Sequence, residues 1–474
     1  MAMNDFFSAE GWLNTHLTLL NDAIWTYLLI GLLVICALWF TIKLGFVQFR
    51  MLGEMFRLLK ESPVKKKGEK HISSFQAFMV SIASRIGTGN LAGVATAIAI
   101  GGPGSVFWMW VMALLGSATA FAESTLAQLF KRRSKDSYIG GPAYYIQKGL
   151  HSNGLAKVFA VILVISFPFI QTATQSNTIT GAMQGAFGLS SALVGAILAV
   201  TALIIVFGGV HRVASVSSVV VPVMAIGYLG LALFIICRHF EMIPAVLGII
   251  VKDAFGIRQI AGGGLGATIM MGVKRGLFSN EAGEGSAPNV AATATTSHPV
   301  KQGLIQALGV FTDTLVVCSC TAFIILFSGV YTDSSLNGVN LTQAALTAEV
   351  GGFGSYFLAI AILLFAFSSI IGNYIYGENN IRFLTKKKWV MDVFRILSGG
   401  VFVFLGAIAS FDLAWSLVDF SMAIITAVNI YAILRLSKWV IALLKDYNAQ
   451  KKEGKDPSFH KSITPELDLD SWDD

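Results

Sequence analysis

The chain has 474 residues, of which 55% are hydrophobic and only 13% charged, with a mean hydropathy of +0.69. A soluble domain carries about 25% charged residues, so water is excluded as the main solvent. The formal charge of +7 does not point to nucleic acid, because Lys and Arg lie in short loops between apolar runs and form no basic helix face.

A membrane helix needs about 20 mostly apolar residues. In chain order eleven segments qualify, 24–46, 73–100, 104–131, 157–182, 190–208, 211–238, 264–296, 301–328, 353–377, 391–410 and 411–436, which predicts an all-α polytopic membrane protein. The loop 43–72 holds Lys43, Arg50, Arg57, Lys60, Lys65, Lys66, Lys67 and Lys70, and later loops hold Lys131 to Lys135, His211/Arg212 and Lys386 to Lys388. The positive-inside rule makes these cytoplasmic. The connections 101–104, 183–189 and 329–352 are then external, and none contains a Lys or Arg. The start of the chain (Asp5, Glu10, Asp22) is expected outside and the tail 437–474 inside, while the external connection 239–263 fits less well because of Lys252 and Arg258.

No signal-peptide pattern opens the chain, so the first span is expected to be a retained, peripheral helix. Cys36, Cys237, Cys318 and Cys320 fall in or at the end of apolar segments without a C-x-x-C pair and are expected to be buried thiols. Residues 450–474, polar and without apolar periodicity, are expected to be mobile.

Two spans are interrupted in a way that lipid-exposed backbone cannot tolerate. The second carries Ser84-Arg-Ile-Gly-Thr-Gly-Asn-Leu-Ala-Gly93, and the seventh carries Lys274-Arg-Gly-Leu-Phe-Ser-Asn-Glu-Ala-Gly-Glu-Gly-Ser-Ala-Pro-Asn289. They are five spans apart and therefore run in opposite directions. Residues 73–238 and 264–436 are then candidate inverted repeats, each opening with a discontinuous helix, joined by 239–263 and preceded by 1–72. Paired interruptions at corresponding positions point to a transporter's binding site.

Where a helix unwinds, N–H groups at the start of one half and carbonyls at the end of the other lose their partners. A carboxylate suits the former and a dehydrated cation the latter. Gly87 and Gly89 permit the turn and leave room against the backbone, and Thr88 and Asn90 add side-chain oxygens. Close helix packing through a GxxxG accounts for Gly93 at least as well. Ser368 and Ser369 in the ninth span form an oxygen pair of the kind that a hard cation such as sodium accepts. Gln175 shares a polar face with Gln171, Thr174 and Thr178, suited to a pocket or to interhelical hydrogen bonds. Trp108 and Trp110 are read as boundary anchors.

Charges within spans are functional candidates. They are Arg85, Glu123, Arg275, Glu281, Glu284 and Asp313, with paired structural roles the competing reading, chiefly for Glu123 and Asp313, which stand far from the breaks in sequence. Arg85 is expected to join a gating ion pair, with Glu281 and Glu284 as coupling candidates. Catalysis is not expected: Gly87-x-Gly89 has neither the strand nor the third glycine of a dinucleotide fingerprint, and no H-E-x-x-H is present.

The runs Gly87-Thr-Gly-Asn-Leu-Ala-Gly93, Gly101-Gly-Pro-Gly-Ser-Val-Phe-Trp-Met-Trp110, Gln175-Ser-Asn177, Phe278-Ser-Asn-Glu-Ala-Gly283, Ser286-Ala-Pro288 and Gly372-Asn-Tyr-Ile-Tyr-Gly-Glu378 together resemble the alanine or glycine:cation symporter family over nearly the whole length. The resemblance implies a 5+5 inverted-repeat, LeuT-like fold with an extra N-terminal helix, sodium-driven uptake of small neutral amino acids, and a prokaryotic plasma membrane. It implies a sodium site of the Ala83 and Ile86 carbonyls with Ser368 and Ser369. It also implies that Gly87, Thr88, Gly89 and Asn90 meet the substrate carboxylate, with Gln175, Phe278, Ser279 and Gly283 lining the pocket. Many family members carry an apolar residue where Glu284 stands, and some a tryptophan where Asn373 stands. An amide in place of an indole widens the pocket, extending the substrate range from alanine, glycine and serine to glutamine. The competing functions are a proton-coupled symporter of the same fold, with Glu281 or Glu284 as carrier, and an amino-acid receptor or channel.

Overall fold

A computed structural model describes residues 12–61, 72–134, 137–256, 264–409 and 412–472. Lys65, Lys66, Lys67, Lys70, Lys135 and Arg258, on which part of the topology reading rests, lie outside the described residues, as do Asp5 and Glu10.

Helix occurs in each of the eleven apolar segments, and among the described residues eight helices are long and apolar enough to cross a membrane: Thr15–Lys43, Gly104–Leu129, Asn153–Phe187, Gly209–Arg238, Pro299–Ser328, Phe353–Leu384, Lys388–Ile408 and Trp415–Arg435. The chain is a multi-pass, all-α membrane protein. Gly104–Leu129 runs through the centre, packed by Pro299–Val310, Gly264–Asn280 and the first span. Small residues allow that approach. A Cβ on Gly272 would stand 2.6 Å from both the Ser105 carbonyl oxygen and Trp108 Cβ, and one on Gly303 would stand 2.8 Å from the Phe121 carbonyl oxygen. The first span buries Trp25, Leu29, Cys36 and Phe40 on one face and exposes Tyr27, Ile35 and Ile42 on the other, as lipid-facing side chains should be.

The two interrupted segments are broken at the expected places. Ser74–Arg85 begins with a capping box, Ser73 with Gln76, and ends as Ile86 turns to an extended ψ of 92° before helix resumes over Gly89–Gly101. Gly264–Asn280 ends at Glu281, whose φ of +57° is joined by +89° at Gly283 and +85° at Gly285. Left-handed backbone at Glu281 is costly for a side chain with a Cβ and stands only where its surroundings impose it. The second half of the seventh span is shorter than the sequence suggests, a single turn at Pro288–Ala291. Its freed carbonyls are capped from the central helix: Gln128 Nε2 donates to the oxygens of Ala291 and Ala294 at 2.5 and 2.9 Å, and Lys131 Nζ to Ala294 at 3.2 Å.

Two connections hold helices that apolar run length does not reveal. Ile243–Ala254 docks on the central helix, where Gly104 N donates to Asp253 Oδ2 at 2.8 Å and Trp108 to the Ala254 oxygen at 3.4 Å, so Trp108 is a packing residue. Gly338–Val350 lies across the first break, where Thr342 Oγ1 donates to the Leu91 oxygen at 2.9 Å. Three of the four cysteines are buried; Cys237 is exposed, contrary to expectation, because it lies on the lipid-facing side of Gly209–Arg238.

Residues 450–472 are not a loose tail. Helix Ser437–Lys452 is held by Tyr447 and Lys451 donating to Glu54 at 2.5 and 3.1 Å, and by Asp446 facing His298 at 3.2 Å. Arg57, Tyr447 and Lys451 outweigh the upward push of desolvation and hold the Glu54 carboxyl down at about 2. Beyond the helix, Lys301 pairs with Asp456 at 2.9 Å, Lys148 with Asp468 and Asp470, and Arg132 with Asp470. Trp472 Nε1 donates to the oxygens of Gln128 and Leu129 at 3.1 Å, and Lys131 lies over its ring. The strap uses isolated anchors, Phe459, Leu467, Leu469 and Trp472, so periodicity could not signal it.

Trp472→Ala removes a neutral hydrogen bond and a cation–π contact, together about 1–2.5 kcal/mol. Limited trypsinolysis should then cut at Lys455 and Lys461 about ten-fold faster than in the parent, since cleavage follows the opened population. An unchanged rate would show that the ion pairs alone seat the strap.

Candidate functional site

The two breaks face one another. Gly89 lies directly on the seventh span, where a Cβ would stand 3.1 Å from the Phe278 ring and 3.2 Å from Ser279 Cα. Gly87 N donates to Asn90 Oδ1 at 3.0 Å, so Asn90 caps the broken end within its own loop, and Thr88 N donates to Gln175 Oε1 at 3.2 Å. A Cβ on Gly87 would collide with Ser369 Oγ and stand 3.1 Å from the Gln175 amide. Gly87, Thr88, Gly89, Asn90, Gln175, Phe278, Ser279 and Ser369 are therefore one cluster.

A set of neutral oxygens adjoins it. Ser368 Oγ and Ser369 Oγ each lie 3.1 Å from the Ala83 carbonyl oxygen, and lie 2.8 and 3.2 Å from that of Phe365. Ala83 is one turn before the break, and Ile86 is the residue at which the helix opens. Two hydroxyls and two carbonyls, all buried and uncharged, suit a singly charged hard cation and not a transition metal. The Phe365 carbonyl escapes sequence reasoning because every residue offers one.

Asp313 and Glu123 stand at the breaks, and neither is an ion-pair partner among the described residues. Asp313, buried in the π-helical stretch Phe311–Cys318, receives Asn90 Nδ2 at 2.7 Å on one oxygen, and Ser279 Oγ at 2.7 Å and Thr314 Oγ1 at 2.9 Å on the other. It thus ties the first break to the second. Cys318 Sγ lies beside the same Asn90 and Ser279 at 3.3 and 3.2 Å. Glu123 of the central helix accepts from Gly283 N at 3.2 Å, Gly285 N at 3.1 Å and Asn429 Nδ2 at 2.7 Å.

That arrangement separates Gly283 from the cluster at Gly87. Its Cβ direction points to Thr119, and its carbonyl accepts from Asn429 at 2.9 Å, so Glu123 and Asn429 hold it away from Gln175. Asn373 lies one turn below the first break, where Ser84 Oγ approaches its Oδ1 at 2.6 Å while its Nδ2 has no partner. Glu281 shares Ser84 at 3.2 Å and accepts from Ser286 at 2.6 Å and Tyr376 at 2.9 Å. Glu284 is buried beside these acids, yet neither of its oxygens has a hydrogen-bond partner. Arg85 donates to the Gln306 carbonyl at 3.1 Å and leaves Nε and Nη2 without partners; the expected ion pair is not formed, because its guanidinium turns toward the helix Pro299–Val310.

Above the cluster lies a cleft of 360 Å³ bordered by Gly93, Thr96, Thr178, Arg275 and Trp415. Trp415 in its wall meets the Phe278 ring, with centroids 5.2 Å apart. Arg275 stacks on Trp415, and both Lys274 and Arg275 pair with Asp419, at 2.7 and 3.3 Å, fixing the seventh span to the eleventh.

Known proteins with similar sequences carry names that fit this geometry. The chain is 52% identical over 94% of its length to a probable sodium/glutamine symporter, GlnT, of Bacillus subtilis, covering 92% of that protein. It is 40% identical over 84% of its length to a sodium/proton-dependent alanine carrier protein of Bacillus sp. PS3 (93% covered). It is 36% identical over 91% of its length to the sodium/alanine symporter AgcS of Methanococcus maripaludis (96% covered). Residues 10–461 match the sodium:alanine symporter family, and the chain belongs to that family.

Proposed function

We propose that this protein is a secondary active transporter, not an enzyme, which couples uptake of a small neutral amino acid to sodium entry by alternating access. The observation that carries the reading is the juxtaposition at the first break: an oxygen set fit for sodium on one side of Gly87, and unwound backbone against a second broken helix on the other. Sodium held by the Ala83, Ile86 and Phe365 carbonyls with Ser368 and Ser369 places a positive charge beside the loop that receives a carboxylate. Each ligand therefore strengthens binding of the other, which is the coupling free energy symport requires. Gly87, Thr88, Gly89 and Asn90 bind the carboxylate, and Gln175, Phe278 and Ser279 enclose the rest.

The architecture that goes with this function is a LeuT-like pair of inverted repeats, 73–238 and 264–436, totalling ten core helices behind a peripheral first one. The basic face lies in the cytoplasm of a prokaryotic cell and the N-terminus lies outside. The seating of Gly89 on Phe278 and Ser279 supports that pairing, since corresponding broken helices meet at the repeat interface. Asn373, with a free amide donor near the break, favours a substrate that carries its own side-chain carbonyl, and glutamine joins alanine, glycine and serine as a candidate. Arg85, Glu281 and Glu284 act in gating and coupling, Arg85 closing on a carboxylate in another state of the cycle.

The test is uptake of labelled alanine, glycine, serine and glutamine into proteoliposomes under an imposed sodium gradient, then under a proton gradient alone. Accumulation should need sodium, and none under either gradient would overturn the substrate class. Replacing Ser368 and Ser369 together by alanine removes two of the cation's oxygens. The sodium concentration for half-maximal uptake should rise at least ten-fold, the effect of about 1.4 kcal/mol; unchanged sodium dependence would place the ion elsewhere.

The proton-coupled alternative has one observation in its favour. Glu284 is a buried carboxyl neither of whose oxygens accepts a hydrogen bond, so it is open to taking up a proton. Glu284→Gln removes the titrating group and keeps its shape. If its proton is a fixed structural feature, sodium-driven uptake stays within about two-fold of the parent, a few tenths of a kcal/mol; abolished accumulation with exchange retained would assign proton coupling to Glu284.

A further inference from the structure

Four cations converge on one cleft at the basic face. Lys43 closes the first span, Arg50 ends the short helix Val47–Arg50, and Lys445 and Lys452 project from the C-terminal helix Ser437–Lys452; together with Leu44 and Leu444 they border a space of 550 Å³. All four are exposed, and no carboxylate lines the cleft among the described residues. None takes part in an ion pair among the described residues: Lys43 Nζ lies over the Trp39 ring at 5.0 Å, and Arg50 reaches only the Leu44 carbonyl, at 3.4 Å. Their neighbours differ: Lys451 is paired with Glu54, and a second basic cleft, bordered by Arg133, Arg382, Lys386, Lys387, Lys388 and Arg395, has Asp392 in its wall, with Arg382 and Arg395 paired to Glu378 and Asp392.

Four like charges collected around one space repel one another unless an anion is shared among them. The location identifies the anion. Ile42, Phe46 and Phe49, 64, 54 and 47% exposed, stand beside the cleft at the end of a lipid-facing helix, so its mouth opens where acyl chains give way to head groups. Phe46 adopts a left-handed φ of +55° there, turning the chain out of the first span and onto this surface.

We propose that the cleft binds the phosphate of an anionic phospholipid, with the lipid's chains along Ile42, Phe46 and Phe49. Arg50 grips two phosphate oxygens through its planar fork, and the three lysines supply point charges. The apolar border selects a lipid over free phosphate, which has no use for it. Such a lipid bridges the first span to the C-terminal helix, and that helix in turn holds His298 and Glu54. The proposal needs only that the chain crosses a membrane with this face at a leaflet containing anionic lipid, and stands whatever the transported substrate.

The full chain, purified in detergent, is titrated with phosphatidylglycerol or phosphatidylcholine and the bound lipid counted by native mass spectrometry. One phosphatidylglycerol should be retained where phosphatidylcholine is not. The variant Lys43→Gln/Arg50→Gln/Lys445→Gln/Lys452→Gln should weaken its retention at least about ten-fold, while Lys386→Gln/Lys387→Gln/Lys388→Gln, which removes three charges elsewhere, leaves it in place. Should the fourfold variant misfold, Lys445→Gln/Lys452→Gln on the exposed helix face is read instead, with a loss of at least about three-fold. Equal retention of the two lipids, no effect of either cleft variant, or an equal loss in the control overturns the site. Binding of inorganic phosphate as tight as that of the lipid makes it a free-anion site and overturns the lipid assignment.

Discussion

Everything in this molecule turns on the cost of leaving backbone N–H and C=O groups unpaired inside a membrane. Two helices are unwound there, so each must import partners, and those partners decide the surroundings. At the seventh span the central helix sends a carboxylate, Glu123, onto the amides of Gly283 and Gly285, while Asn429 covers the Gly283 carbonyl. At the second span Asn90 caps Gly87 from within the loop and Gln175 comes from the fourth span to Thr88. The partners at the first break are side chains, which on the proposed function a ligand displaces. The second is clamped by a buried carboxyl group, which on that reading makes it a fixed wall for the first to work against.

Two carboxylates of similar depth therefore do different things. Glu123 receives two backbone amides and a side-chain amide and is fully occupied by structure. Asp313 receives Asn90 from one break and Ser279 and Thr314 from the other, so it registers the distance between the two broken helices. On the proposed function, a ligand that draws Asn90 toward itself loosens that bond, and the change is felt at Ser279 through the shared carboxylate. Coupling of that kind needs no long pathway: two neighbouring groups compete for one amide.

Much of this was legible in the chain itself. The glycine-rich polar runs located both breaks, because no lipid-facing helix keeps Gly87-Thr-Gly89 or Glu281-Ala-Gly-Glu-Gly285 intact, and a Ser-Ser pair in an apolar run marked the oxygens beside Ala83. What the chain hid depends on three-dimensional proximity. Glu123 and Asp313 read as remote because sequence distance says nothing about helices that pack side by side. Gly283 read as pocket lining because its motif is continuous with Phe278 and Ser279, whereas left-handed backbone at Glu281 and at Gly283 itself turns the chain away from them. The Phe365 carbonyl carries no side-chain signature at all. The strap at 453–472 was hidden for a different reason: apolar periodicity detects helices and strands that bury a face, and an extended segment pinned at Phe459, Leu467, Leu469 and Trp472 has no face.

The strap and the breaks belong to one mechanical system. Gln128 and Lys131, which cap the carbonyls of Ala291 and Ala294 where the seventh span ends, sit at the seat of Trp472, whose indole donates to the carbonyls of Gln128 and Leu129. Asp456 holds Lys301 at the start of the helix that carries Asp313, and Asp468 and Asp470 hold Lys148 ahead of the fourth span that carries Gln175. On the proposed function the strap joins the basic ends of the elements whose opposite halves form the binding cluster. Opening that site toward this face parts those ends against the ion pairs of the strap. The pairs of Lys148 and Arg132 are partly exposed, individually weak and screened by salt, whereas Lys301 is buried. Several such pairs in series, anchored at a half-buried tryptophan, suit a closure that holds at rest and yields without a large barrier.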